Sequence, residues 1–541
     1  MKYAILATVL AVASIAFALD GQFGIHDPST VVLCDGKYYT YGTGGTPLVS
    51  DDGWTWRAGV RPLLTGAAPD VIHIGDRYYM YVANPRLPES EPVPALAKGG
   101  NPASKAFVYM IWSKTLDPNS PDYKWNLGGV VASSDGVEDS NAIDPGAFLD
   151  PTDGRLWLVD GSYIGYIRLV QLDPKTGLRI NPNDKPIDLA INCEAADMIY
   201  HDGWYYLLAT HGSCCRGADS NYNIRMGRSR KVTGPYLDAE GVDMMLGGGT
   251  KLIGSGGRVV GAGHFGLMDL GQGVMKFSMH WEADFDKGGA SVLDFRPLLW
   301  KDGWPVAGEN MKEGTYEIES QRTGTALELA VEGVPVGGAR GGGGRGGGRA
   351  AGGPGRGGAA GPGSAPAPGA APAAAAPGDT AGRGGAAAPG GGVGGRGMFG
   401  GASTPVPNQD VAQVSANWPT GSVPARMANY LVQAQQKWAI APASNGGGYP
   451  GSPYLKITIA GTDRTLAATA DAELVVLPAY TGAPEQLWRF DQLADGSWRI
   501  MPKSVPNSKD AMALTAIGAS FATLEKFDPS SDKQHWLVKL P

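Results

Sequence analysis

Ile25-His26-Asp27-Pro28-Ser29 leads shortly into Lys37-Tyr38-Tyr39-Thr40-Tyr41. An Asp on a short turn thus precedes a hairpin whose second strand alternates aromatics. The unit recurs down the chain. Its second strands read at residues 36–41, 75–81, 154–159, 203–208 and 274–280. Val31-Val32-Leu33, Val71-Ile72-His73-Ile74, Ala147-Phe148-Leu149 and Met198-Ile199-Tyr200 stand ahead of the first four. Asp35-Gly36, Gly75-Asp76, Asp153-Gly154 and Asp202-Gly203 supply tight turns between the partners. A hairpin every ~40 to 80 residues, with outer strands between, predicts four-stranded blades and a five-bladed β-propeller. A β-sandwich is the competing all-β arrangement.

The rest of the chain fits an all-β protein of more than one domain. It has 541 residues, 43% of them hydrophobic, with 14 Trp and 21 Tyr, and shows no long helical periodicity. A net charge of −7 with no basic stripe argues against nucleic acid as a partner. Residues 1–18 read as a secretory signal: Lys2, an apolar run, then Ala16-Phe17-Ala18 with cleavage near Ala18. The expected location is secreted or periplasmic, with no membrane span. The four cysteines, Cys34, Cys193, Cys214 and Cys215, form no zinc spacing and no disulfide framework. Adjacent Cys214 and Cys215 bridge only through a strained peptide, and export permits Cys193 to pair with one of them.

Two stretches depart from the blade pattern. Residues 84–107, rich in Pro, read as a long loop off the second blade. Residues 334–405 are Gly, Ala, Pro and Arg with almost no apolar bulk, which predicts disorder. Ordered composition then returns with Gln436-Lys437-Trp438, Gln486-Leu487-Trp488 and Gln534-His535-Trp536. These resemble the QxW repeats of the ricin-type (ricin B-like) β-trefoil, in which the Gln and Trp pack each repeat. The first repeat is expected at Gly314–Ser320 and Ala326–Leu329, which makes 334–405 an insertion inside it. The domain expectation is therefore a signal at 1–18, a catalytic propeller at 19–310 and a β-trefoil at 311–541. Sugar sites of that trefoil use an early Asp. Glu328 supplies a carboxylate there, but Ala467 and Thr515 do not, so glycan binding competes with a docking role.

Several carboxylates are candidates for chemistry. Asp27 precedes Pro28, which predicts an extended backbone aiming its side chain off a strand end. Asp144, in Asn141-Ala142-Ile143-Asp144-Pro145, repeats the Asp-Pro unit, and Asp70 follows Pro69 ahead of the second hairpin. Glu194 is flanked by Cys193 and two alanines. Burial there would raise its pKa, as a general acid at neutral pH requires.

These stretches, with Gly261-Ala262-Gly263-His264, Gly161-Ser162-Tyr163, Cys214-Cys215-Arg216-Gly217, Gly227-Arg228-Ser229, Thr233-Gly234-Pro235-Tyr236, Phe295-Arg296-Pro297-Leu298 and Gly303-Trp304-Pro305, resemble glycoside hydrolase family 43, arabinanase branch, over residues 22–307. The resemblance implies a five-bladed propeller that hydrolyses glycosidic bonds with inversion. It implies Asp27 as general base, Glu194 as general acid and Asp144 as the residue that orients Glu194 and tunes its pKa. An inverting pair stands about 6.5–9.5 Å apart, leaving room for water. His264 matches the family residue that helps hold a calcium-centred water cluster, an unusual site because calcium prefers oxygen. Ser162, Tyr163, Arg216 and Arg296 are candidates for lining the sugar cleft, with Arg296 as a partner for Glu194 or Asp144. Asp197, three residues past Glu194, departs from the family pattern.

The expected activity is cleavage of α-1,5-L-arabinofuranosidic linkages in plant cell-wall arabinan, as an endo-acting arabinosidase. An exo-acting α-L-arabinofuranosidase or β-xylosidase is the alternative within the family. A non-catalytic glycan-binding protein is the alternative outside it.

Overall fold

The computed structural model describes residues 19–83, 105–136, 141–271, 273–331 and 410–541. The signal segment, the 334–405 insertion and the Pro-rich stretch up to residue 104 lie outside the described residues. Residues 105–107, expected in that loop, instead open the strand Lys105–Ser113. Val108, Met110 and other apolar residues of this strand are buried, which carries the strand back to Lys105.

Five antiparallel sheets follow one another along the chain, as the hairpin recurrence predicts. The second comprises Ala67–Ile74, Arg77–Ala83, Lys105–Ser113 and Asn126–Asp135, paired in that order. The third comprises Gly146–Leu149, Leu156–Asp160, Tyr166–Leu172 and Ile187–Ile191. The fourth comprises Glu194–His201, Trp204–His211, Asn223–Ser229 and Thr250–Gly254. The fifth runs Val259–Asp269, Met275–Asp284, Ala290–Lys301 and Trp304–Ala307. The first sheet holds Val32–Cys34, Lys37–Gly42, Thr46–Ser50 and Thr55–Ala58, with Asp20–Gly21 added in parallel at its edge. The N-terminal chain also reaches the fifth blade: Leu293 N donates to Phe23 O at 2.9 Å, and Gly24 bridges Val292. One segment therefore ties the last blade to the first and closes a five-bladed propeller.

The alternating aromatics have a packing reason. In the strand Arg77–Ala83, Tyr78, Met80 and Val82 pack with Val32, Tyr39 and Tyr41 of the first blade. Tyr79 and Tyr81 point the other way, into a cluster with Leu156, Leu158 and Val170 of the third. Both faces of the strand are buried, against different neighbours, so side chains of both parities are apolar or aromatic.

The C-terminal strands repeat one local arrangement three times. Trp438, Trp488 and Trp536 each begin a strand after a 3-10 turn carrying the motif Gln. Their indole N–H groups donate to Leu327 O at 2.8 Å, Leu466 O at 3.1 Å and Leu514 O at 2.8 Å. The side chains of Gln436, Gln486 and Gln534 donate back to Asn429 O, Ala479 O and Lys526 O. Ala326–Leu329 pairs in register with Val423–Ala428, so the strands that flank the insertion in sequence are neighbours in one sheet. All described residues belong to one compact unit. Gly451 N donates to Gly53 O at 3.0 Å, and Glu309 N to Gln492 Oε1 at 2.6 Å, across the propeller's face toward these strands. No helix among the described residues is long and apolar enough to cross a membrane.

Candidate active site

Each blade carries at least one non-glycine residue with left-handed backbone ahead of or within its first strand, and five of these matter for the site. These are Asp27 (φ 50°), Ala68 (φ 43°), Asp144 (φ 52°), Ala195 (φ 48°) and His264 (φ 62°). At Ala68, Ala195 and His264 it coincides with a break in strand register. Such backbone is costly away from Gly, Asn and Asp, and bulges re-aim side chains. This corrects the extended conformation expected for Asp27. Proline at 28 disfavours only the right-handed helical region, and an Asp tolerates the left-handed one.

Asp27 is held from several sides. Thr43 Oγ1 donates to its Oδ2 at 2.6 Å and accepts from Ala68 N at 2.9 Å. His26 Nδ1 lies 2.8 Å from the same oxygen. The other oxygen, Oδ1, faces His264 Nδ1 at 3.5 Å. Asp27 N donates to His280 Nδ1 at 3.2 Å, which makes that nitrogen an acceptor and puts the His280 proton on Nε2. Gly42 permits this approach, because a Cβ there would stand 2.6 Å from His26 O. Burial would raise the Asp27 pKa, but hydrogen bonds from His26 and His264 and their charge drive it well below the carboxylate range.

His26 sits between two carboxylates. Its Nε2 lies 3.3 Å from Glu282 Oε1. Partial burial favours the neutral ring, yet Asp27 and Glu282 together raise its pKa to about 10, so it is an imidazolium. Glu282 is 4% exposed and also accepts from Cys215 N at 2.8 Å. Burial disfavours its charge, but His26, His280 and the Cys215 N–H lower its pKa below the ordinary value. Cys215 is bonded to Cys214, while Cys34 and Cys193 are buried and free.

Glu194 meets the opposite environment. It lies opposite Thr210 in the fourth blade. Thr210 Oγ1 accepts from His264 N at 3.0 Å, and its carbonyl accepts from Tyr163 Oη at 3.1 Å. Burial first, then the charges of Asp27 and Glu282, push the Glu194 pKa up to about 7. Asp144 is deeper. Burial and Glu194 raise its pKa well above the carboxylate range, although the Ala195 N–H opposes this.

The remaining residues divide. Tyr163 is 37% exposed, and Glu194 and Asp144 add to the burial that raises its pKa. Arg216 is exposed beside the Cys214–Cys215 disulfide. Ser162 is buried, and its Oγ accepts from Asn141 Nδ2 at 3.0 Å, holding the turn before Asp144. Arg296 departs from the expected pairing with Glu194 or Asp144. It lies on the third strand of the fifth blade and pairs with Asp294 and Glu309, both at 2.9 Å. Its neighbours two and thirteen residues away satisfy it locally. Asp70 accepts from Thr30 N at 3.0 Å and Ala147 N at 2.8 Å, pinning three blades together. Asp197 caps Met198 N and interacts with Asp70, not Glu194.

Among the described residues, two clusters bring metal-type donors together: His26, Asp27 and His280, and His26, Cys214, Cys215 and Glu282. Both are tied up by the hydrogen bonds above and by the disulfide. His264 Nδ1 is buried without a close hydrogen-bond partner. Asp27, Asp144 and Asp70 all act electrostatically on His264. A single imidazole amid these carboxylates fits a hydrated cation better than a closed cage of oxygen ligands.

Thr43, His280, Glu282 and the clamping role of His26 were not read from sequence. A signal existed for two of them. In the strand Met275–Asp284, Lys276, Ser278, His280, Glu282 and Asp284 alternate with apolar residues, so His280 and Glu282 share one polar face.

Residues 37–305 match the model of Glycosyl hydrolases family 43. The chain is 32% identical over 321 residues to the extracellular exo-α-(1→5)-L-arabinofuranosidase of Cellvibrio japonicus, covering 53% of this chain and 87% of that protein. It is 28% identical over 308 residues to extracellular endo-α-(1→5)-L-arabinanase 1 of Bacillus subtilis, covering 52% and 87%. A solved exo-1,5-α-L-arabinanase from a bovine ruminal metagenomic library is 31% identical, covering 54% of this chain and 99% of that one, with a TM-score of 0.47.

Proposed function

The chain belongs to glycosyl hydrolases family 43, and from that premise we propose that it hydrolyses α-1,5-linked L-arabinan with inversion. The observation that carries the reading is the opposed setting of two carboxylates. Asp27 is kept ionised by His26 and His264, while Glu194 is kept protonated up to about pH 7 by burial. Environments that push two acids apart assign base and acid. Asp27 Oδ2 is committed to Thr43 and His26, which leaves Oδ1 to take a proton from water on one face of the sugar. Glu194 gives its proton to the departing glycosidic oxygen on the other. Asp144 orients Glu194 and tunes its pKa. Tyr163 and Arg216 border the sugar. Arg296 and Ser162 serve by holding structure.

His264 would help hold calcium through its imidazole, with waters completing the shell. The ion would supply fixed positive charge among the buried carboxylates. The three Gln-x-Trp units support a ricin-type β-trefoil at 311–541 beside a propeller at 19–310. In it Glu328 is paired with Gln436 and Arg426 at 2.9 and 2.7 Å, a setting that favours a structural role over sugar binding. Export, with cleavage near Ala18, accords with the relatives named extracellular.

Glu194→Gln tests the reading. Loss of a general acid lowers kcat on debranched arabinan by ~10²–10⁴-fold with unfolding unchanged; undiminished turnover overturns it. Proton NMR of the first product anomer tests inversion. Endo action is the leading reading and yields oligomers. Exo action, favoured by the name of the Cellvibrio relative, yields one short product throughout.

A further inference from the structure

The cysteines of this chain divide into a buried pair and a joined pair. Cys34 and Cys193 are buried and free, whereas Cys214 and Cys215 are bonded to each other. Cys215 is exposed and Cys214 half-buried, so a reductant in solution has one disulfide to act on. That disulfide abuts the clamp on the proposed base. A sulfur of each cysteine, a ring nitrogen of His26 and a carboxylate oxygen of Glu282 all lie within 4.8 Å of one another. Cys215 N donates to Glu282 Oε1 at 2.8 Å, the same oxygen that faces His26 Nε2 at 3.3 Å. His26 in turn holds Asp27 through Nδ1 at 2.8 Å.

The flanks of this turn are anchored without the disulfide. Ser213 N donates to Asn221 Oδ1 at 2.6 Å, Ser220 Oγ to Ser213 O at 2.7 Å, and Asp219 N to Arg216 O at 3.1 Å. Cys215 lies between these ties with left-handed backbone, φ 64°. That conformation is unfavourable for a residue with a Cβ unless its surroundings impose it. The bond to Cys214 imposes it. It closes a small ring around the peptide that joins the two residues and limits how that peptide can be oriented. Opening the ring lets the planar peptide turn as a unit, and its N–H turns with it, away from Glu282.

We propose that the Cys214–Cys215 disulfide is a redox-sensitive positioning element for the hydrolytic site. Closed, it aims the Cys215 N–H at Glu282, which keeps His26 against Asp27. Opened, it leaves Glu282 and His26 without that anchor and slows turnover. Opening requires an external dithiol. One of its thiolates attacks a sulfur of the pair and expels the other as a thiolate, and its second thiol then displaces the mixed disulfide. The dithiol is oxidised to a cyclic disulfide, its protons pass to the cysteines, and both cysteines end as thiols. They act through Glu282 and are positioning residues. The inference rests on the reading of Asp27 as the base.

Dithiothreitol treatment of the full chain tests this, on wild type and on Cys214→Ser/Cys215→Ser, with thiol titration to verify that the bond has opened. Misplacing one charge-assisted hydrogen bond is worth about tenfold, so kcat on debranched arabinan should fall about tenfold in reduced wild type. It should recover when oxidised glutathione closes the bond again. The variant should be equally slow with and without reductant. The ring-nitrogen NMR signals of His26 should move on reduction, while those of His201, stacked 3.7 Å from the Trp300 ring, stay in place. Unchanged kcat in reduced wild type, or wild-type kcat in the variant, overturns the proposal. So does a loss of turnover with the His26 signals unmoved. Reduced protein already unfolded at the assay temperature also overturns it, because the bond then serves the fold alone. Oxidised wild type without turnover on arabinan refutes the hydrolytic reading instead, and the His26 signals then decide the positioning claim by themselves.

Discussion

Glu282→Gln isolates the clamp on His26. The substitution keeps an acceptor for Cys215 N and removes one of the two charges that hold the imidazolium. The His26 pKa stands at about 10 against an ordinary 6.5, a shift worth about 5 kcal/mol at ~1.36 kcal/mol per unit. Asp27 and Glu282 both contribute, so losing one removes about half, roughly 2 kcal/mol. The raised pKa stabilises the fold fully below about pH 6.5, and the benefit is lost as pH rises through about 10. The difference between wild type and variant should therefore be roughly 2 kcal/mol near pH 6 and shrink to a few tenths near pH 10. Urea unfolding at about pH 6, 8 and 10 measures it, and titrations elsewhere cancel in the difference. A gap that is absent at pH 6, or constant from pH 6 to 10, refutes an imidazolium held between Asp27 and Glu282.

Two further outcomes follow from the geometry. Glu194 must be protonated to act as acid, so kcat/KM on arabinan should fall about tenfold per pH unit above its pKa of about 7; a profile flat to about pH 9 contradicts its role. Deleting residues 334–405 should leave turnover unchanged and raise stability by about 1 kcal/mol, because the connection between Ala326–Leu329 and Val423–Ala428 shortens about fivefold. Loss of cooperative unfolding would show that the segment supports the sheet.

The blades were legible because their second strands bury both faces, so Tyr38-Tyr39 and Tyr78-Tyr79 announce themselves without tertiary information. The Gln-x-Trp units were legible because each Trp is a core residue with one fixed hydrogen bond. The site was legible only in its carboxylates. Ring closure brings His280 to Asp27 and Glu282 to His26 across some 250 positions, Thr43 reaches Asp27 across 16, and no local pattern encodes these contacts. Arg296 misled for the converse reason. A cation in a matching motif says nothing about Asp294 two residues away, which claims it. The backbone at Asp27 misled because the residue before proline was read from its commonest state, whereas the axis of the propeller imposes a rarer one.

That imposed state connects fold to chemistry. A regular strand would send successive side chains to its two faces, where neighbouring blades bury them. A left-handed residue at the inner end breaks the alternation and releases a side chain toward the axis. In three blades that residue is itself polar: Asp27, Asp144 and His264. In the other two it is Ala68 or Ala195, and the polar group stands beside it, Asp70 or Glu194. Five repeats of one backbone irregularity thus gather four carboxylates and an imidazole, of which Asp70, Glu194 and His264 are buried. Like charges so gathered cannot all ionise. The imidazoles decide which one does. They cluster on Asp27, where His26 and His264 lower its pKa, and leave Glu194 and Asp144 to burial, which raises theirs. The contrast between Asp27 on one side and Glu194 and Asp144 on the other then follows from where the first and fifth blades meet, since that junction supplies every histidine in contact with Asp27.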